Sequence, residues 1–257
     1  MIVDYHMHLR DPEERITHTL EAVERFVETA AACGVDEIGF TEHVYYFRQT
    51  RPLWTLAYQT ERCVYDLDAY VDTVLEAKRA GMPVKLGLEV DYVGDRQDEL
   101  AVMLESYPWD YLLGSVHWID GLAIDQEPGM WAVESVEGVW GRYFAALAEL
   151  AASGHVDVLA HPDLAKIFRR WPERVAYPTL DGVALEISTA GFHKPVGEIY
   201  PAAEMLEGHP PITLASDAHV PQNVGRDFDR AVAHARAAGY ETVTVFEGRH
   251  GRQEPLG

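Results

Sequence analysis

The side chains in this sequence best equipped for chemistry are histidines and carboxylates. His6 and His8, one residue apart, close a short apolar run. In an extended chain, residues i and i+2 point to the same side. Two imidazoles so placed can grip one borderline metal ion. Alone, such a pair is weak evidence, because a lone histidine is more often a surface or satisfied core residue. Repetition makes the case. His43, His117, His161 and His219 also follow short apolar runs, as do Glu89 and Asp217. The other histidines, at positions 18, 155, 193, 209, 234 and 250, mostly do not. Gathering eight such groups in one place without a cation would be costly. A ligand set of only nitrogen and oxygen argues against copper(I) or an iron–sulfur cluster.

The runs themselves indicate what must position these groups. Ile2–Tyr5 precedes His6, Glu37–Phe40 precedes Glu42 and His43, and Val84–Leu88 precedes Glu89. Tyr111–Val116 precedes His117, and Val158–Ala160 precedes His161. Ala184–Leu185 precedes Glu186, and Ile212–Ser216 precedes Asp217 and His219. Short, often β-branched runs of this kind read as buried parallel strands. Between them, Thr19–Cys33, Asp68–Ala80, Val139–Ala152 and Asp229–Ala238 carry apolar residues at helical spacing, each followed closely by a glycine. Seven strand–helix units in one chain predict a closed α/β barrel, with Thr242–Phe246 as one further short strand. The strand ends of such a barrel converge on one face. Two insertions follow strand ends: Val44–Asp66, rich in Tyr, Trp and Arg, and Trp118–Glu137, with two tryptophans and several acids. Their aromatics suit either a cover over the barrel mouth or substrate contact.

Composition narrows the function. The 257 residues are 47% apolar, ordinary for a soluble globular chain. No apolar run approaches a membrane span. The N-terminal MIVDYHMHLRDPEE lacks a basic region followed by an apolar stretch, which argues against a secretory signal. Cys33 and Cys63 are the only cysteines, which fits a reducing cytoplasm. A net charge of −21 disfavours nucleic acid as a partner. Nothing in the sequence fixes an oligomeric state.

The ordered motifs DYHMH, FTEH, GLEVDY, GSVHW, LAHPDL, LEISTAG and ASDAH resemble the PHP (polymerase and histidinol phosphatase) superfamily. The segment EISTAGFHKPVGEIYP followed by SDAH is similar to its histidinol-phosphate phosphatase branch. The resemblance runs from about Ile2 to Gly225. It implies one metallohydrolase domain over residues 1–257, folded as a distorted (β/α)7 TIM-like barrel. It also implies a trinuclear site holding zinc, iron or manganese. Carried over by motif, His6, His8, Glu89 and Asp217 hold one ion, and Glu89, His117 and His161 hold a second, with Glu89 bridging. His43 and His219 hold a third, completed by a side chain after the first strand. Many members have a histidine there; here the spacing points to Glu14, with Asp11 as a nearby alternative.

Clustered divalent ions suit hydrolysis of a phosphate ester. The family resemblance thus implies a phosphomonoesterase acting on a small phosphorylated metabolite, with hydroxide shared between two ions as nucleophile. Histidinol phosphate is the expected substrate, and another small phosphate ester or a nucleotide is the alternative. Lys194 is the leading phosphate partner, one of only four lysines, with His193 beside it. Arg48, Arg51 and Arg226 are further candidates, since a guanidinium offers bidentate contacts. Glu186 is expected to orient the substrate or a metal-bound water. A protonated His219 or an Asp217-linked water is expected to serve the leaving alcohol. Asp91, Tyr92, Trp118 and the Val44–Asp66 insertion are expected to face the substrate's amine and imidazole.

Overall fold

The computed structural model describes residues 1–9 and 18–257. Its frame is a ring of parallel strands. Val3–Asp4 (β1), Glu37–Phe40 (β2) and Val84–Leu86 (β3) form one set, in that order. Glu89–Asp91 (β4), Leu113–Ser115 (β5), Val158–Leu159 (β8), Ala184–Ser188 (β9) and Ile212–Ala215 (β10) form the other. Between β5 and β8 lies a small hairpin of Trp118–Ile119 (β6) and Leu122–Ala123 (β7).

The two sets are one closed barrel. β3 and β4 are halves of a single strand bent at Gly87 and Leu88. The Gly87 amide reaches back to Phe40 O at 2.9 Å, and the Glu89 amide reaches Glu42 O at 2.9 Å. At the other seam, the Tyr5 amide donates to Leu214 O at 3.0 Å and the His8 amide to Ala218 O at 2.8 Å. With β3 and β4 counted as one strand, the ring has seven members, the expected distorted (β/α)7 barrel.

The bend has a packing cause. Tyr111 sends its side chain across the barrel interior, stacked on Tyr5 at 5.0 Å, and donates its hydroxyl to Tyr5 O at 2.6 Å. A Cβ at Gly87 would lie 2.8 Å from Tyr111 Cζ, and one at Gly39 would collide with the Tyr111 hydroxyl. Glycine at both positions therefore leaves the volume that the ring fills.

Helices Leu20–Cys33 (α1), Ala57–Thr60 (α2), Leu67–Arg79 (α3), Gln97–Leu104 (α4), Val136–Ala152 (α5) and Phe228–Ala237 (α6) follow the chain. Polar caps start three of them: Thr19 accepts from the Ala22 amide, Asp66 from those of Asp68 and Ala69, and Ser135 from that of Gly138. The four expected helices are present within a few residues. Among the described residues no α-helix links β8 to β9 or β9 to β10. The strand–helix alternation expected throughout fails there because Pro172, Pro178, Pro195, Pro201, Pro210 and Pro211 interrupt these links. Short 3₁₀ turns replace the helices.

Thr242–Glu247 (β11) is a strand, but not a barrel member. It pairs antiparallel with His250–Pro255 (β12) beneath the N-terminal strand ends, where Phe246 packs 5.6 Å from Tyr111. Among the described residues no helix is long and apolar enough to cross a membrane.

Candidate metal centre

The C-terminal strand ends bring the separated histidines and carboxylates together, with Glu89 at the centre. Its Oε2 lies 3.3 Å from His6 Nε2, 3.7 Å from His8 Nε2 and 2.8 Å from His43 Nδ1. Its Oε1 lies 3.6 Å from both His117 Nε2 and His161 Nε2. Asp217 Oδ1 approaches His6 Nε2 at 3.6 Å, His8 Nε2 at 3.4 Å and His219 Nδ1 at 3.5 Å. Two residues hold backbone conformations unusual for a side-chain-bearing residue: His161 at φ 29° and Asp217 at φ 54°. Such geometry persists only where the surroundings enforce it.

Besides His43, Asp91 and His117, three groupings of ligand atoms among the described residues lie close enough together to hold an ion. His6, His8 and Glu89 form one, with Asp217 alongside, and Glu89, His117 and His161 form another. The third joins His43 and His219 with His8. Glu14 and Asp11, expected to complete it, lie outside the described residues. His6 Nε2, His8 Nε2, His43 Nδ1 and both Glu89 oxygens are buried without hydrogen-bond partners. Buried polar atoms are normally paired, so this cluster fits a site built for cations.

A layer of carboxylates stands behind the imidazoles. Glu186 Oε2 lies 2.8 Å from His6 Nδ1, and Asp91 Oδ1 lies 2.7 Å from His117 Nδ1. Glu42 Oε2 lies 3.5 Å from His8 Nδ1. Each leaves the histidine's Nε2 directed at Glu89, the arrangement that fixes tautomer and ring orientation at metal sites. Glu42 also faces His18 Nε2 at 3.5 Å. His18 thus stands beside the cluster, its side chain largely covered, although no apolar run precedes it in the sequence.

The electrostatics follow from this crowding. Burial works against charge on Glu89, but His43 and His6 outweigh it and hold the carboxyl well below the usual range. The same balance, led by His6, holds Asp217 low. Burial also opposes a proton on His6, yet Glu186, Glu89 and Asp217 raise its pKa well above that of a free imidazole. His219 differs: burial and the neighbouring His8 push it down to about 4. That favours the neutral imidazole, the form in which histidine binds a metal ion.

A cavity of about 250 Å³ opens over the cluster. Its protein wall includes Tyr45, Tyr46, Tyr58, Trp118, Asp125, Gln126 and Lys194. Both insertions therefore contribute to the mouth, and Lys194 stands on its wall. Trp118 also borders an outer groove of about 900 Å³, lined in part by Trp54, Tyr92 and Arg142.

Several expected contacts fall elsewhere. Glu186 is fully buried, with one oxygen on His6 and the other accepting the His161 amide at 3.2 Å, so both of its oxygens are committed to the cluster. Asp91 is likewise committed to His117, and Tyr92 donates its hydroxyl to Glu149 at 2.7 Å. His193 Nε2 lies 2.6 Å from Asp227. Arg48 reaches Val64 O and Asp66, Arg51 reaches Thr60 O, and Arg226 reaches Asn223. Each of these three guanidiniums is used to tie a loop, and none lines the cavity. Asp125 joins the cavity wall without a sequence signal of its own, a single acid among several in the second insertion.

The PHP domain pattern matches residues 4–190. A Deinococcus radiodurans protein named as a probable histidinol-phosphatase is 31% identical, over 93% of this chain and 94% of its own length. A Bacillus subtilis histidinol-phosphatase is 24% identical over 81% of this chain and 91% of its own. Among solved structures, the histidinol phosphate phosphatase of Lactococcus lactis, complexed with zinc, L-histidinol and phosphate, superposes with a TM-score of 0.72. It is 20% identical, with 98% of each chain covered. The pattern spans well over half of the sequence, and by that measure the chain belongs to the PHP domain family.

Proposed function

We propose that this protein is a metal-dependent phosphomonoesterase that hydrolyses L-histidinol phosphate to L-histidinol and phosphate. The observation that carries the reading is the set of unpartnered buried imidazole and carboxylate atoms around Glu89, directly beneath a cavity of metabolite size. The curated relatives and the zinc- and histidinol-bound neighbour support the same substrate. His6, His8, Glu89 and Asp217 would hold one ion, and Glu89, His117 and His161 a second. His43 and His219 would hold a third, with His8 at hand. Zinc, iron or manganese fits these nitrogen and oxygen donors. When bound, such ions polarise the phosphoryl oxygens and lower the pKa of an attacking water.

The chain's own residues supply the rest. Glu186, Glu42 and Asp91 hold His6, His8 and His117 with Nε2 facing inward. Lys194, on the cavity wall, offers a positive charge to the phosphate. Tyr45, Tyr46, Tyr58 and Trp118 cover the site and limit water. Residues 1–257 act as one domain in this reading. The reading places the enzyme in the cytoplasm, with two free cysteines in support.

The test is phosphate release from histidinol phosphate, with metal stoichiometry measured on the same sample. Turnover with two or three divalent ions per chain is expected, and Glu89→Ala should lose both metal and at least a thousandfold in activity. Negligible turnover of histidinol phosphate beside strong turnover of another phosphate ester would reject the substrate.

A further inference from the structure

Asp125 has no role in the reading above, yet it lines the cavity with a buried Oδ1 that makes no hydrogen bond to the described residues. Its position is fixed. The preceding Ile124 donates its amide to His117 O at 2.8 Å and accepts the Trp131 indole N–H at 2.8 Å. The other carboxylates of the lining, Glu89 and Asp217, face the imidazole cluster. Among the described residues, Asp125 is the acid of the lining left over.

An uncommitted negative charge in a pocket for a phosphate ester works against binding, unless the ligand brings a positive charge to meet it. The cavity has the matching polarity. Lys194 and Asp125 both line it, one a cation and the other an acid. The wall thus offers one group to an anion and one to a cation. Aromatic rings complete the wall. Trp118 meets Tyr45 edge-on at 5.3 Å and Tyr58 at 5.4 Å, surfaces suited to a flat ring or a cation.

We propose that Asp125 is the specificity residue that receives the positively charged half of the substrate's alcohol, with Tyr45, Tyr58 and Trp118 packing against its ring. This rests on the phosphatase reading and extends it: the site selects phosphomonoesters of amine-bearing alcohols. The contact belongs to binding of the ground state and the transition state alike, so its loss raises KM more than it lowers kcat.

The experiment compares wild type, Asp125→Asn and Asp125→Glu on histidinol phosphate and on phenyl phosphate, which has no cation. Circular dichroism and metal content establish that the variants are folded and loaded. Asp125→Asn should raise the KM for histidinol phosphate at least tenfold. The ratio of kcat/KM for histidinol phosphate to that for phenyl phosphate should fall by a similar factor, and Asp125→Glu should recover part of it. An unmoved KM, or equal losses on both esters, overturns the proposal and leaves the phosphatase reading intact. A wild-type enzyme that hydrolyses phenyl phosphate but not histidinol phosphate overturns both.

Discussion

At the scale of single residues, the centre depends as much on what stands behind the imidazoles as on the imidazoles themselves. Glu186 touches His6 at 2.8 Å and accepts the His161 amide, so it orients parts of two proposed metal sets. Glu186→Gln would keep the shape but replace a charged acceptor with a neutral one. The expected result is a loss of metal affinity of about 10- to 100-fold, read by competition with a chelator. The ligand types were legible in the sequence because each follows a strand, where alternate residues share a side. The division of labour among the carboxylates was not. Glu89, Asp91 and Glu186 all sit in or at the end of a strand, and only the three-dimensional distances separate the central acid from those holding a histidine. His18 was not legible as a neighbour of the cluster because no apolar run precedes it in the sequence, nor was Asp125, because nothing local distinguishes it from its acidic neighbours.

At the scale of elements, the barrel is held open for one ring. Gly39 in β2 and Gly87 at the β3–β4 bend both give way to Tyr111. Gly39→Ala should destabilise the protein by about 2 kcal/mol through overpacking, measured by urea unfolding. Adding Tyr111→Phe, which removes the colliding hydroxyl, should restore part of the loss, and a double-mutant cycle would report the coupling. All seven barrel strands could be read as apolar runs, and α1, α3, α5 and α6 as periodic stretches closed by glycine. The eight-residue α4 was too short for its buried Gln97, Leu100 and Leu104 to register as a period. The helix-free links after β8 and β9 were not legible from the strand-end pattern, because their prolines lie between the runs that mark it. β11 was legible as a strand, but its partner β12, a polar segment, was not, so its place outside the barrel was hidden.

At the scale of the whole molecule, ring closure and metal binding are one problem. The seam between β1 and β10 brings His6 and His8 against Asp217 and His219, so any opening there disperses the cluster. Ions that bind only the closed ring stabilise it by mass action, about 4 kcal/mol at a thousand times the dissociation constant. At about 2–4 °C per kcal/mol for a chain of this length, chelation should lower the Tm by on the order of 10 °C, followed by calorimetry with and without added zinc. Trp118 gives a way to watch the filled state without labels. Its indole forms part of the partition between the inner cavity and the outer groove, so its ultraviolet emission responds to what occupies either side. The enzyme thus carries an intrinsic optical gauge of occupancy in the wall of its own pocket.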